Sequence, residues 1–308
     1  MNPPNSNLRA FNLAVSTLLK SPAQFLPHLT IPTITHLPEQ IGPVLASSYT
    51  NPTSSSTTNP TPKKPITIRA LILDKDNTLC AAKTTSFPPQ ILNKLTTLRT
   101  SPTSPFNMHS APHSILIVSN RAGSHPRYDS EITELQENGL SGLRIPVFRL
   151  PQGSEKKPFC GREVLAWFTE RGVVKGPEEI AVVGDRLGTD VLMAAQMGAW
   201  SVWCRDGVTE GVDPRRGRED LNVLEKMEAW LEMYLLLPMT TRKQMEIMIW
   251  IELFLYCRRE ECLSFATTSA DYEPALQLAN ASSTKDSNSD HKSPKKDDHH
   301  KGKYANNS

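Results

Sequence analysis

The 308-residue chain has only five cysteines, Cys80, Cys160, Cys204, Cys257 and Cys262, and no two of them make a CxxC pair. An odd number without metal-ligand spacing excludes a disulfide framework or a zinc site as the organising feature and fits reduced thiols. Cys80 and Cys160 therefore read as small packing residues. Long apolar runs are also missing: none reaches the roughly 18 to 20 residues that a spanning helix needs, so no segment reads as transmembrane. An excess of one charge is lacking too. Thirty-four Lys and Arg against 32 Asp and Glu leave a net charge of +2, which gives no electrostatic argument for nucleic acid. No G-x-G-x-x-G follows the first apolar strand and no G-x-x-x-x-G-K-[ST] occurs anywhere, which disfavours dinucleotide-dependent oxidoreductases and P-loop enzymes.

What is present falls into segments of distinct composition. Residues 1–45 contain no acid before Glu39, and Leu8, Phe11, Val15, Leu18 and Leu19 recur at helical spacing, with Arg9 and Lys20 flanking. This amphipathic stretch has two readings, a helix docked on a core or a helix lying in a membrane interface or aiding mitochondrial targeting. Residues 46–65 form a Ser/Thr/Pro linker. Residues 66–237 carry regular strand and helix patterns. Residues 238–264 hold an apolar stretch, "MEIMIWIELFLYC", interrupted by Glu246 and Glu252; it is left unassigned. Residues 265–308 are polar, low in complexity and expected to be disordered, with His299 and His300 solvated.

Within 66–237 the apolar runs are short and bounded by turn or charged residues: "ITIRALILD" (66–74), "SILIVSN" (114–120), "IPVFRL" (145–150), "EIAVVGD" (179–185) and "AWSVWC" (199–204). Runs apolar on both faces suit strands buried between helix layers, the habit of a parallel sheet. Helical patterns fall between them at 88–99, 129–138, 159–171 and 190–197, the last three followed by Gly139, Gly172 and Gly198. The expected fold is α/β, an open Rossmann-like parallel sheet with helices on both faces. The connections after the first two strands are short, leaving material for a minimal cap only. Ligands of such sheets sit beyond the carboxyl ends of the strands, where Asp74, Ser119 and Asp185 should meet.

Four carboxylates converge at that edge, Asp74 and Asp76 after the first strand and Asp185 and Asp190 in "GDRLGTD". So much negative charge is tolerable around a hard divalent cation, and Mg²⁺, with its oxygen ligands, retained waters and affinity for phosphate, answers the need. A D-x-D pair alone is most often a turn or a cap. Four motifs in fixed order are a far stronger signal.

"DKDNT", "ILIVSN", "KKP" and "GDRLGTD" resemble, in order, the four motifs of the haloacid-dehalogenase phosphatase superfamily, over roughly residues 66–210. The closer likeness is to its small-capped IIIA branch and, through "DKDNTL", "SNRAGS", "KKPFC" and "GDRLGTDVLMAAQMGAWSVW", to the fungal mitochondrial phosphatidylglycerophosphatases, whose amino-terminal segment "LPHLTIPTITHLP" resembles as well. The resemblance implies Asp74 as nucleophile, forming an aspartyl-phosphate, and Asp76 as general acid and then base. Thr78 would tie the loop down through its hydroxyl, Ser119 and the Asn120 backbone N–H would hold phosphate oxygens, and Lys157, with Lys156 as a possible swap, would neutralise charge. Mg²⁺ would be held by Asp74, Asp185 and the carbonyl of Asp76, with Asp190 acting through water or by orienting Lys157. Arg121, His125 and Arg127 could meet an anionic head group or face water.

The implied reaction is hydrolysis of phosphatidylglycerophosphate to phosphatidylglycerol for cardiolipin synthesis, by a mitochondrial enzyme peripheral on the matrix side of the inner membrane, with no nucleic acid involved and protein partners unspecified. The alternatives are a phosphatase of the same mechanism on a soluble phosphomonoester and a catalytically inactive, membrane-associated interaction protein on the same fold.

Overall fold

The computed structural model describes residues 6–49, 65–122, 128–150, 155–212, 226, 229 and 231–233. Five strands form one sheet: β1 (Leu29–Thr33), β2 (Ala70–Leu73), β3 (Ile115–Ile117), β4 (Ile180–Gly184) and β5 (Trp200–Gly207). Their order is β1-β5-β4-β2-β3 and every pairing is parallel. Parallel neighbours require crossovers, which are supplied by α2 (Ile41–Tyr49), α3 (Pro89–Thr100), α4 (Asp129–Glu134), α5 (Gly161–Glu170) and α6 (Leu192–Met197), while α1 (Ser6–Lys20) precedes β1.

Alternation along each strand builds a core on each face. Leu71, Leu73, Ile115, Ile117, Ala181 and Val183 point to one side, where they pack with Ile41 and Leu45 of α2 and Ile91, Leu95 and Leu98 of α3. Ala70, Ile72, Leu116, Ile180 and Val182 point to the other, against Val164 and Phe168 of α5 and Met193 and Ala194 of α6. Strands β2, β3 and β4 are buried throughout, so their sequences are apolar without a polar face. Helix α6 stops at Gly198, whose φ of 76° is left-handed and costs a glycine little.

The sheet departs from the sequence expectation at both edges. Its fifth strand comes from residues 29–33, inside the amino-terminal segment that the sequence sets apart from 66–237. Pro32 lacks the N–H a central strand needs, but β1 lies at the edge and its register with β5 shifts between Ile31 and Thr33, a position that tolerates proline. At the opposite edge the expected strand 145–150 shrinks to one bridge, Ile117 to Val147. Pro146 can accept from Ile117 (3.0 Å) but has no N–H to donate.

Helix α1 docks on the core: Ala14 is buried with Phe25, Leu187, Val191, Leu192, Trp203 and Leu231. Of the linker, residues 46–49 belong to α2 and 50–64 lie outside the described residues. So do His125, Arg127, the apolar stretch 245–257 and the tail 265–308 with His299 and His300. Among the described residues no helix is long and apolar enough to cross a membrane.

Candidate active site

The carboxyl ends of β2, β3 and β4 carry the chemistry-bearing residues. Asp74 is the first residue beyond β2, its backbone N–H held by the Val183 carbonyl of β4 at 2.9 Å. Asp185 directly follows β4, and its carbonyl accepts the Trp203 indole N–H at 3.0 Å. Asp190 sits in the π-helical turn Leu187–Val191 that leads into α6. One carboxylate oxygen from each of Asp74, Asp185 and Asp190 lies within 4.8 Å of the others. Gly184 makes this approach possible, because a Cβ there would lie 2.4 Å from Asp190 Cγ.

Lys157 closes the cluster. Its Nζ donates to Asp74 Oδ1 and, at 2.6 Å, to Asp190 Oδ1, and its backbone N–H donates to Asn120 Oδ1 at 2.9 Å. The lysine that reaches the carboxylates is thus Lys157 and not Lys156. Asn120, expected to offer its backbone N–H to phosphate, also uses its side chain to hold the lysine loop. Ser119 is buried, and its Oγ accepts the Arg121 N–H at 3.2 Å, so the hydroxyl hydrogen can still be donated.

Electrostatics follow from burial. Desolvation pushes the Asp74 carboxyl up to about 7, against the attraction of Lys157 and with repulsion from Asp190 and Asp76. Desolvation raises Asp185 well above the ordinary carboxyl range, reinforced by Asp74 and Asp190. Burial opposes the Lys157 charge, but Asp190 and Asp74 outweigh it and raise the ammonium above its ordinary value. Asp185 Oδ1 is buried with no hydrogen-bond partner among the described residues, a costly state for a polar atom. A set of carboxylate oxygens around an orphaned one fits a hard divalent cation, which prefers oxygen donors.

Asp76 stands apart from this trio. Its Oδ1 accepts the Lys83 N–H at 2.8 Å and faces Lys75 Nζ at 3.0 Å, so its side chain is not gathered with the other acids and only its carbonyl remains for the ligand role the resemblance implies. Thr78 corrects the expectation made for it. Its Oγ1 is buried with no hydrogen-bond partner among the described residues, so it does not tie the loop. Backbone groups do so instead, through Asn77 N–H to Cys80 O (2.8 Å) and Leu79 N–H to Lys75 O (3.0 Å). With Asn77 at φ 60°, where asparagine is tolerated, the loop's N–H groups donate to its own carbonyls and leave the hydroxyl unused.

Sequence reasoning assigns no role to Lys75, the residue between Asp74 and Asp76. The side chain is buried, donating to Glu131 Oε1 at 2.7 Å and to the Thr84 carbonyl at 2.8 Å. Desolvation alone would lower its pKa, yet Glu131 and Asp76 raise it. Glu131 Oε2 accepts from Arg121 at 2.7 Å. A charged residue between strand-end aspartates was the one signal available; nothing marked Glu131. The thiols behave as read: Cys80, Cys160 and Cys204 are free and buried, and burial pushes Cys160 up to about 12. A cavity of about 500 Å³ beside the start of β5, lined among others by Leu26, His28, Glu178 and Trp200, is lined by none of Asp74, Asp76, Asp185 and Asp190.

A model of the family described as mitochondrial PGP phosphatase matches residues 8–209. The mitochondrial phosphatidylglycerophosphatase GEP4 of Saccharomyces cerevisiae is 40% identical over 147 residues, covering 48% of this chain and 72% of that one. A probable mitochondrial phosphatidylglycerophosphatase of Schizosaccharomyces pombe is 28% identical over 213 residues, 69% of this chain and 85% of that one. A crystal structure of a HAD-like phosphatase candidate from Mesorhizobium loti is 20% identical with a TM-score of 0.32, covering 46% of this chain and 75% of that one.

Proposed function

The chain belongs to the mitochondrial PGP phosphatase family, and from that premise we propose that it hydrolyses phosphatidylglycerophosphate to phosphatidylglycerol and phosphate, with Mg²⁺, through an aspartyl-phosphate. The observation that carries the reading is Asp74: a buried strand-end carboxylate in contact with Lys157 and beside the orphaned Asp185 oxygen.

Asp74 attacks phosphorus in line with the leaving oxygen, and Lys157 balances the charge on nucleophile and phosphoryl group. Asp190 holds Lys157 at 2.6 Å, so the ammonium is preset before substrate arrives. Ser119 Oγ–H and the Asn120 N–H receive phosphoryl oxygens. Asp76 protonates the departing glycerol alkoxide, a poor leaving group, and then takes a proton from the water that splits the acyl-phosphate and regenerates Asp74. Mg²⁺, held by Asp74, Asp185 and the Asp76 carbonyl, would supply Lewis-acid neutralisation of phosphoryl charge.

The reading extends to a peripheral position on the matrix side of the inner mitochondrial membrane, where the product would feed cardiolipin synthesis. The mitochondrial names of the relatives and the lipid substrate support it.

The test is phosphate release from phosphatidylglycerophosphate in mixed micelles with Mg²⁺, beside glycerol 3-phosphate, by wild type and Asp74→Asn. Wild type should prefer the lipid, and the variant should lose at least about 10³-fold in kcat. An Asp74→Asn protein as active as wild type would refute the nucleophile; preference for the soluble ester would remove the lipid substrate.

A further inference from the structure

Lys75 is 1% exposed, although a spacer between two loop aspartates has no need of a buried charge and would sit there more cheaply as an apolar residue. Its ammonium has three neighbours: Glu131 Oε1 on α4 at 2.7 Å, the Thr84 carbonyl at 2.8 Å and Asp76 Oδ1 at 3.0 Å. Glu131 is itself only 14% exposed and spends its second oxygen on Arg121, 2.7 Å away and two residues beyond Ser119. The Arg121 guanidinium in turn stacks on Tyr128 at 4.5 Å. One carboxylate on α4 therefore joins the loop after β3 to the nucleophile loop, 56 positions away in the chain.

We propose that Lys75 and Glu131 form a positioning bridge that orients Asp76 for proton transfer to the leaving group. The proposal rests on the acid-base role given to Asp76 above. Two donors converge on Asp76 Oδ1, the Lys75 ammonium and the Lys83 N–H at 2.8 Å. That oxygen is occupied, so Oδ2 is the one that carries the transferable proton. As the P–O bond to the glycerol oxygen breaks, the Oδ2 proton moves to that oxygen and Asp76 is left as carboxylate. Oδ2 then accepts a proton from the water that attacks the aspartyl-phosphate, which restores the acid and frees inorganic phosphate. Glu131 matters because it fixes the ammonium from behind: without it the Lys75 chain is held only by a carbonyl and by the carboxylate it should be orienting. Neither Lys75 nor Glu131 is a catalytic residue in this scheme; both act through Asp76.

A bridge that merely held the fold together would affect all substrates alike, whereas one that aims a proton matters in proportion to the basicity of the leaving group. The experiment compares kcat/KM, which covers the steps through departure of the leaving group, for phosphatidylglycerophosphate (alkoxide leaving) and p-nitrophenyl phosphate (phenolate leaving). Wild type, Asp76→Asn, Lys75→Met and Glu131→Gln are assayed with Mg²⁺, and urea unfolding is recorded for each. Asp76→Asn should lose about 10² to 10⁴-fold on the lipid and much less on the aryl ester. Lys75→Met and Glu131→Gln should show the same split, at least about tenfold on the lipid against less than about threefold on the aryl ester. If Lys75→Met does not fold, Glu131→Gln, which keeps the shape and removes the charge, decides alone. Equal losses on both substrates, or no loss, overturn the bridge. An Asp76→Asn variant without the split removes the acid role and the bridge with it; a split in Asp76→Asn that the other two lack removes the bridge alone.

Discussion

In the cation-free protein, Asp74→Asn should become more stable relative to wild type as pH rises. Asp74 has its carboxyl raised from an ordinary 3.8 to about 7 by burial, with Lys157 opposing and Asp190 and Asp76 adding to the shift. The folded state therefore binds this proton more tightly than the unfolded chain does. The stability the group contributes is fully present below 3.8 and is lost as pH rises through about 7. At 1.36 kcal/mol per tenfold change, the difference between pH 4 and pH 8 is about 4 kcal/mol, shared with the neighbouring Asp185, whose carboxyl is raised by burial and by Asp74. For a protein of this size that corresponds to roughly 10 °C in Tm. Asparagine cannot ionise, so its curve lacks this loss. Urea unfolding of both proteins with a chelator at pH 5, 6, 7 and 8 measures the difference directly. Its growth towards high pH should shrink when Mg²⁺ is added, because a cation that binds only the folded, ionised site stabilises wild type by about 2.7 kcal/mol at a hundred times its Kd. A difference that stays flat from pH 5 to pH 8, or that grows towards acid, would refute the claim that burial holds this carboxyl high.

Lys157→Met leaves Asp74 and Asp190 without their shared cation and should cost about 3–5 kcal/mol by chemical denaturation, while Lys156→Met should stay within about 0.5 kcal/mol of wild type. Gly184→Ala puts a methyl 2.4 Å from Asp190 Cγ, so Asp190 must retreat from Lys157; kcat/KM should fall about 10²-fold with a stability loss of about 1–3 kcal/mol, read by phosphate release and urea midpoint. Arg99 is fully buried and donates to the carbonyls of Leu143, Phe106, Ala111, Pro112 and Arg144 at 2.8–3.3 Å. Arg99→Met strips these acceptors of their donor, each worth about 1–3 kcal/mol, and soluble expression at 37 °C should be lost.

The legible parts of this chain are those in which chemistry or alternation restricts residue type locally. Strands β2, β3 and β4 announce themselves because they are covered on both faces, so nearly every residue must be apolar. Asp74, Asp185 and Asp190 are readable because they stand in motifs of fixed order, whose chemistry restricts residue type locally. The edge strand β1 is not, since Leu29–Thr33 contains a proline and a half-buried pattern, and only pairing with β5 makes it a strand. Arg99 reads as an ordinary helix-surface charge until the segment 104–112 and Leu143 fold around it. Lys75 and Glu131 are separated by 56 positions, and no local pattern links them.

By itself the sequence determined the α/β class, the strand ends that bear the acids and the order of motifs, because these depend on residue type and near neighbours. Tertiary structure alone decided that Lys157 rather than Lys156 reaches Asp74, that Asp76 turns to Lys75 instead of the other carboxylates, and that Thr78 makes no tie. Each of these is a choice of partner. Partners are set by distances of a few ångströms between segments that only folding brings together.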